Sequence, residues 1–234
     1  PGLYLFGAQA NVGKTAYMMQ LTKQIATLND NVHVAYHALD DGVNEAVPRF
    51  VSCYAGITIS QAKKPSRYTD NADVMAKRND AMKFLMANTD RISFWDTNEG
   101  RMLTDIEEHI KDMRMQFGEE RRLVIGLDSA YDVEAVFATS DKQAHEEVAK
   151  TIKSWCTMYN VVIMATAHLK KTNGIRPTIE DLKENNRLEY EANFVSLLYN
   201  EVGLKQEEAE MFWIHEGSDY KMPVIENRVA KNKV

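Results

Sequence analysis

Short apolar runs alternate with longer segments of helical spacing along most of the chain, and that alternation is what most restricts its fold. The runs Leu3–Phe6, His33–Ala38, Ile92–Trp95, Leu123–Leu127, Val161–Ala165, Val195–Tyr199, Met211–Ile214 and Val224–Ala230 read as strands. Several lack a strict apolar–polar alternation, which suits strands buried on both faces of a sheet. Between the first five lie helical patterns. Met18, Leu21, Ile25 and Leu28 recur at intervals of 3, 4 and 3. Met102, Ile106, Ile110, Met113 and Phe117 recur at 4, 4, 3 and 4, and Val148, Ile152 and Trp155 at 4 and 3. This order predicts an α/β fold with a mainly parallel, twisted sheet and helices on both faces. The last three strands have no long helix between them and are expected to form an antiparallel C-terminal extension. Pro48 falls inside an expected helix, where it costs ~3 kcal/mol or more away from the first turn, so that helix should start near it or kink there. No internal repeat or linker interrupts the pattern, and 1–234 reads as one domain.

The stretch Ala8-Gln9-Ala10-Asn11-Val12-Gly13-Lys14-Thr15 follows an apolar strand and precedes an amphipathic helix. That is the context of a phosphate-binding loop. A helix N-terminus offers unpaired N–H groups and a partial positive charge to phosphates. Gly13 lets the backbone wrap close, Lys14 should bridge the terminal phosphates, and Thr15 should place a hydroxyl on Mg²⁺. The first motif glycine is replaced by Ala8, with Gly7 just before it, which leaves the geometry of the turn open. The run Leu123–Leu127 ends in Asp128 at a strand's carboxyl end, where open parallel sheets bind ligands. Asp128 is therefore the second candidate for holding Mg²⁺, directly or through water.

Charge and cysteine content narrow the class. The chain carries 34 acidic and 28 basic residues, a formal net charge of −6, which excludes nucleic-acid binding by bulk positive charge but not by a local basic strip. Two cysteines, Cys53 and Cys156, make neither a disulfide framework nor a four-cysteine zinc site and read as buried free thiols in a reducing compartment. His145-Glu146-Glu147-Val148-Ala149 begins like a zinc-protease helix, but Ala149 stands where a second histidine is needed. No apolar run approaches the ~20 residues that span a bilayer.

Beyond the phosphate loop, several stretches together resemble the RecA-like motor domain of DnaB-type replicative helicases and related phage helicases, almost end to end. Ala38-Leu39-Asp40-Asp41 is similar to the family's Ser-Leu-Glu-Met or Leu-Glu-Glu. Arg49 to Ile57 resembles its Arg-Leu-Leu-Ala-x-x-Ala-Gly-Ile, and Glu147–Lys153 with Asn160–Val162 the helix and strand before its sensor position, here His168. Arg176-Pro177, Asp181-Leu182-Lys183-Glu184 and Leu188-Glu189-Tyr190-Glu191-Ala192-Asn193 resemble its Arg-Pro, Asp-Leu-Arg and Ile-Glu-Gln-Asp-Ala-Asp signatures. Val229-Ala230-Lys231-Asn232-Lys233 resembles its closing Lys-x-Arg strand. The resemblance implies a hexameric ring that threads single-stranded DNA and hydrolyses ATP between subunits. It also implies a collar domain and linker preceding residue 1, primase and a helicase loader as further partners, and the cytoplasm of a bacterial or phage-infected cell as the location.

On that resemblance Asp40 occupies the position of the glutamate that orients the attacking water. Its carboxylate would sit about 1.5 Å back, one C–C bond, and misplacement on that scale can cost ~10²-fold. Either the loop advances, Asp41 takes over, or activity is low. His168 occupies the γ-phosphate sensor position. Lys231 and Lys233 match the pair projected into a neighbour's ATP site. Lys233 replaces an arginine finger and so keeps the charge without the planar fork. The pair also reads as a charged edge strand that guards against aggregation. The first of the family's two DNA loops, 128–147 here, carries six acids and one lysine. The second, 169–187, offers Lys170, Lys171, Arg176 and Lys183, and a ring would multiply those charges around a channel. Two alternatives stay open: another RecA-like ATPase of the recombinase or clock type, and a hydrolysis-impaired accessory ring.

Overall fold

The computed structural model describes residues 1–135, 138–182, 186–214 and 220–233. A seven-stranded sheet carries the fold. In chain order its strands and helices are β1 (Gly2–Ala8), α1 (Lys14–Leu28), β2 (Val32–Ala38), α2 (Val43–Ala55), α3 (Ile59–Lys63), α4 (Ala72–Ala87), β3 (Ile92–Asp96), α5 (Leu103–Phe117), β4 (Arg122–Asp128), α6 (Asp141–Met158), β5 (Val162–His168), α7 (Asn186–Glu191), β6 (Phe194–Asn200), α8 (Glu201–Lys205), β7 (Phe212–Ile214), β8 (Lys221–Pro223) and β9 (Ile225–Asn232). The spatial order is β3-β2-β4-β5-β1-β6-β9.

Strands β1 to β6 are parallel, and β9 alone joins antiparallel, against β6. The expected antiparallel extension therefore shrinks to one strand. The run 195–199 belongs to β6, which pairs parallel with β1 from Tyr4↔Phe194 to Gly7↔Leu197. The run 211–214 contains β7, which among the described residues pairs antiparallel with β8 in a separate two-stranded sheet. Counting helices between strands missed this, because α7 and α8 are too short to show a period.

Alternate residues of each central strand feed two cores. Leu3, Leu5, Leu123, Ile125 and Ile163 pack with Ile106, Ile110, Ile152 and Trp155 of α5 and α6. Phe6, Val34, Tyr36, Val124 and Met164 pack with Met18, Met19 and Phe50 of α1 and α2. Both faces of the sheet are thus covered, as the unalternating strands predict. The spacings of α5 and α6 hold, except that Met102 lies at the N-cap, exposed, and Leu103 takes its place inside. On α1 the inward face is Met18, Thr22 and Ala26, one position round from the expected stripe. Two small residues there let the helix sit close to the sheet, Leu21 and Ile25 flank the contact, and Leu28 ends 78% exposed.

Pro48 lies inside α2, which begins five residues earlier at Val43, so the helix forgoes one hydrogen bond in its second turn. Ser140 caps α6 by accepting from the Gln143 N–H (3.3 Å), and Asn71 caps α4 by accepting from Val74 (3.1 Å). Cys156 is a buried thiol as expected, whereas Cys53 is only half-buried; both are free. Among the described residues no helix is long and apolar enough to cross a membrane.

Candidate active site

The phosphate-type loop leaves β1 at Ala8 and turns through Asn11 (φ 63°) and Gly13 (φ 108°) before Lys14 opens α1. The left-handed residues are thus Asn11 and Gly13, so the turn needs no glycine at Ala8. Lys14 is buried and donates from Nζ to the carbonyls of Ala8 (3.2 Å) and Gln9 (3.3 Å). Asn200 supports the loop from behind, donating to the Val12 carbonyl (3.3 Å) while it caps α8 through the Gly203 N–H (3.0 Å). A β-carbon on Gly203 would meet the Asn11 carbonyl at 3.0 Å, so only glycine lets α8 approach this closely.

The carboxyl ends of β2, β4, β5 and β1 line up beside the loop, with Ala38 level with Asp128 and His168 level with Ala8. Buried Asp128 accepts from Tyr36 Oη and from Thr166 Oγ1, each at 2.5 Å, so both carboxylate oxygens are oriented by neutral hydroxyls. Its carbonyl accepts from the N–H groups of Leu39 (2.9 Å) and Asp40 (3.0 Å), which pins the end of β2 to the end of β4. Partial burial raises the Asp40 carboxyl above the usual range, and the negative charges of Asp132, Asp41 and Asp128 add to it, against an opposing pull from His168. Asp41 instead pairs with Arg49 of α2 at 3.1 Å.

One cleft of ≈ 470 Å³ gathers Ala10, Asn11, Gly13, Lys14 and Thr15 with Asp40, Asp41, Arg49, Asp128 and His168. The candidates from four separate stretches of sequence thus share one space. Thr15 and Asp128 offer hard oxygen donors there. Among the described residues no cluster of three or more His, Cys, Asp or Glu could hold a metal alone. That set fits an ion such as Mg²⁺, which takes one or two protein oxygens and completes its shell with water and phosphate.

The remaining candidates lie elsewhere. Lys170 and Lys171 are exposed on the segment after β5, and Lys171 lines a second cleft of ≈ 450 Å³ with Gln9, Asn11, His168 and Gly203. Arg176 pairs with Glu226 of β9 (2.7 Å from Nη2) and lies over the Tyr199 ring at 5.0 Å. Lys183 and Glu184 lie outside the described residues. Lys231 donates to the Glu189 and Tyr190 carbonyls at the end of α7, the latter at 3.0 Å, while Lys233 is exposed. Sequence reasoning missed Tyr36, Thr166 and Arg49. A hydroxyl in a strand buried on both faces must find a partner, and that signal was available for Tyr36 and Thr166.

The model of the DnaB-like helicase C-terminal domain matches residues 1–233. The replicative DNA helicase DnaB of Helicobacter pylori strain J99 is 22% identical over 244 aligned positions, covering 99% of this chain and 43% of that protein. The replicative DNA helicase DnaC of Bacillus subtilis strain 168 is 23% identical over 205 positions, covering 85% of this chain and 43% of that protein. The chain thus spans less than half the length of these curated relatives. The solved ATPase domain of a phage protein superposes with a TM-score of 0.81 at 21% identity, over 99% of this chain and 77% of that one. A DnaB-like replicative helicase, solved to describe its interactions with primase, gives 0.83 at 21% identity, over 99% and 52%. With the whole described fold and nearly every residue matched, this chain belongs to the DnaB-like helicase C-terminal domain family.

Proposed function

We propose that this domain is the ATP-hydrolysing motor of a hexameric replicative DNA helicase. The observation that carries the reading is the single cleft in which Lys14, Thr15, Asp40, Asp128 and His168 meet. ATP would lie with its phosphates against the N–H groups of residues 8–15 and the N-terminus of α1. Lys14 would exchange its two loop carbonyls for the β- and γ-phosphates. Thr15 and Asp128 would hold Mg²⁺, with Tyr36 and Thr166 keeping the Asp128 carboxylate aimed. When bound, the ion offsets phosphate charge and orients the terminal group.

Asp40 would orient the attacking water and accept its proton. Its raised carboxyl pKa suits a base better than Asp41, whose charge is already met by Arg49. His168 would contact the γ-phosphate. Lys231 and Lys233 of a neighbouring copy would complete the site, Lys231 first giving up its bonds to the end of α7. Lys170, Lys171, Arg176 and Lys183 would meet single-stranded DNA, Arg176 by leaving Glu226. Primase and a loader would be the further partners of the whole protein; one similar helicase was solved for its primase interactions.

The aspartate at position 40, one methylene short, favours one second reading, a ring that binds ATP but hydrolyses it poorly. Calorimetry with ATP and steady-state hydrolysis, with and without single-stranded DNA, separate the two. The motor reading expects binding and DNA-stimulated turnover, both lost in Lys14→Ala. Binding without turnover in either condition supports the impaired ring. Unchanged ATP affinity in Lys14→Ala refutes the site itself.

A further inference from the structure

We infer that Gln9 transmits occupancy of the phosphate cleft to the segment 169–175 through Thr172. The inference rests on the reading of that cleft as a nucleotide site. Gln9 belongs to the phosphate-type loop, yet its buried side chain lines the second cleft. There its amide clasps Thr172 at two points. Nε2 donates to Thr172 Oγ1 (2.6 Å), and Oε1 accepts from the Thr172 N–H (3.2 Å). Thr172 Oγ1 in turn donates to the Ile175 carbonyl (2.5 Å), so the clasp reaches the next turn of the segment.

The other end of this chain of contacts is Lys14. Its ammonium is bonded to the carbonyls of Ala8 and Gln9, and the Ala8 carbonyl also accepts from the Leu169 N–H (3.1 Å). Lys14 is therefore linked to both ends of the 169–172 stretch that carries Lys170 and Lys171, two hydrogen bonds away on each path, through Ala8 to Leu169 and through Gln9 to Thr172. A phosphate in the first cleft draws the ammonium away, and both carbonyls lose a charged donor. The Gln9 carbonyl then keeps only the long bond from the Val12 N–H (3.4 Å), so its peptide can reorient while its side chain stays committed to Thr172. Beyond the clasp the segment is held by Tyr199 Oη donating to the Gly174 carbonyl (2.8 Å) and by the Arg176–Glu226 pair. Lys170 is pinned by its N–H donating to the Asp181 carbonyl (2.8 Å), so movement is confined to residues 171–173, of which Lys171 and Asn173 line the second cleft.

Hydrogen–deuterium exchange over 169–178, with and without a slowly hydrolysed ATP analogue and Mg²⁺, tests this in the parent chain, Thr172→Val and Thr172→Ser. Calorimetry on the same samples reports affinity. The parent should change its exchange in this segment by about 2–10-fold on binding, what one net hydrogen bond supplies. Thr172→Ser should keep the change and Thr172→Val should lose most of it at unchanged affinity. A full response in Thr172→Val, or none in a parent that binds the analogue, overturns the inference. A parent that binds no analogue overturns the nucleotide reading first and this inference with it.

Discussion

Acidification should destabilise this domain through a histidine that does not line the phosphate cleft. His37 stands on β2, one residue before the strand ends at Ala38, and is fully buried. Its Nε2 lies 3.3 Å from His109 Nδ1, and His109 stacks on Trp95 with ring centroids 3.9 Å apart. Among the described residues His37 Nδ1 has no hydrogen-bond partner. Burial first, and the neighbouring His109 second, lower its pKa from 6.5 to about 3. In the unfolded chain it returns to ~6.5 and takes up a proton that the folded state refuses. Stability is then lost progressively as pH falls from ~6.5 towards 3. At pH 5 the gap from the unfolded pKa is about 1.5 units, or ~2 kcal/mol. That is a large share of a typical 5–15 kcal/mol. Urea denaturation at pH 7 and pH 5 measures it, with His37→Leu as the control that keeps every other titrating group. The parent should lose ~2 kcal/mol more than the variant between the two pH values. Equal losses would refute the reasoning.

Two further outcomes follow from the cleft. Tyr36→Phe removes a hydroxyl from the buried Asp128 carboxylate and should cost ~1–3 kcal/mol in urea denaturation; a cost under ~0.5 kcal/mol would mean that the bond contributes little. Asp132→Asn removes the carboxylate whose charge ranks next after burial in raising Asp40. The acid limb of the ATP turnover profile should move to lower pH, and an unmoved limb would separate Asp40 from the role of base.

The parallel core was legible because each strand is a dense apolar run and the helices between them keep a period. The C-terminal third was harder, since a six-residue α7 and a five-residue α8 carry no readable period and hide the parallel return of β6. In the cleft, Lys14, Thr15 and Asp128 were legible from local context alone. Asp40 and His168 needed the family resemblance, because an aspartate or a histidine after a strand has many uses. Arg49 reaches the cleft from a helix face, and Tyr36 and Thr166 bond Asp128 from strand interiors, where only the folded register reveals their partners. Lys231 and Arg176 carry the charges expected of them, but intramolecular acceptors occupy both, which no spacing could foretell.

The place of β1 in the sheet bears on the timing of folding. Its two neighbours are β5 and β6, so Gly2 pairs with Val162 and Tyr4 with Phe194, and the Leu3 N–H bonds Asn193 Oδ1 across 190 residues of chain. The first strand of this sheet to leave the ribosome is therefore among the last to be paired. At ~5–20 residues per second, Leu3, Leu5 and Phe6 wait roughly ten seconds or more for their partners. Closure over so long a separation is slow even once the whole chain is present. The phosphate-type loop at the end of β1 can take its final shape only then, so the cleft it lines is completed late in folding rather than at its start.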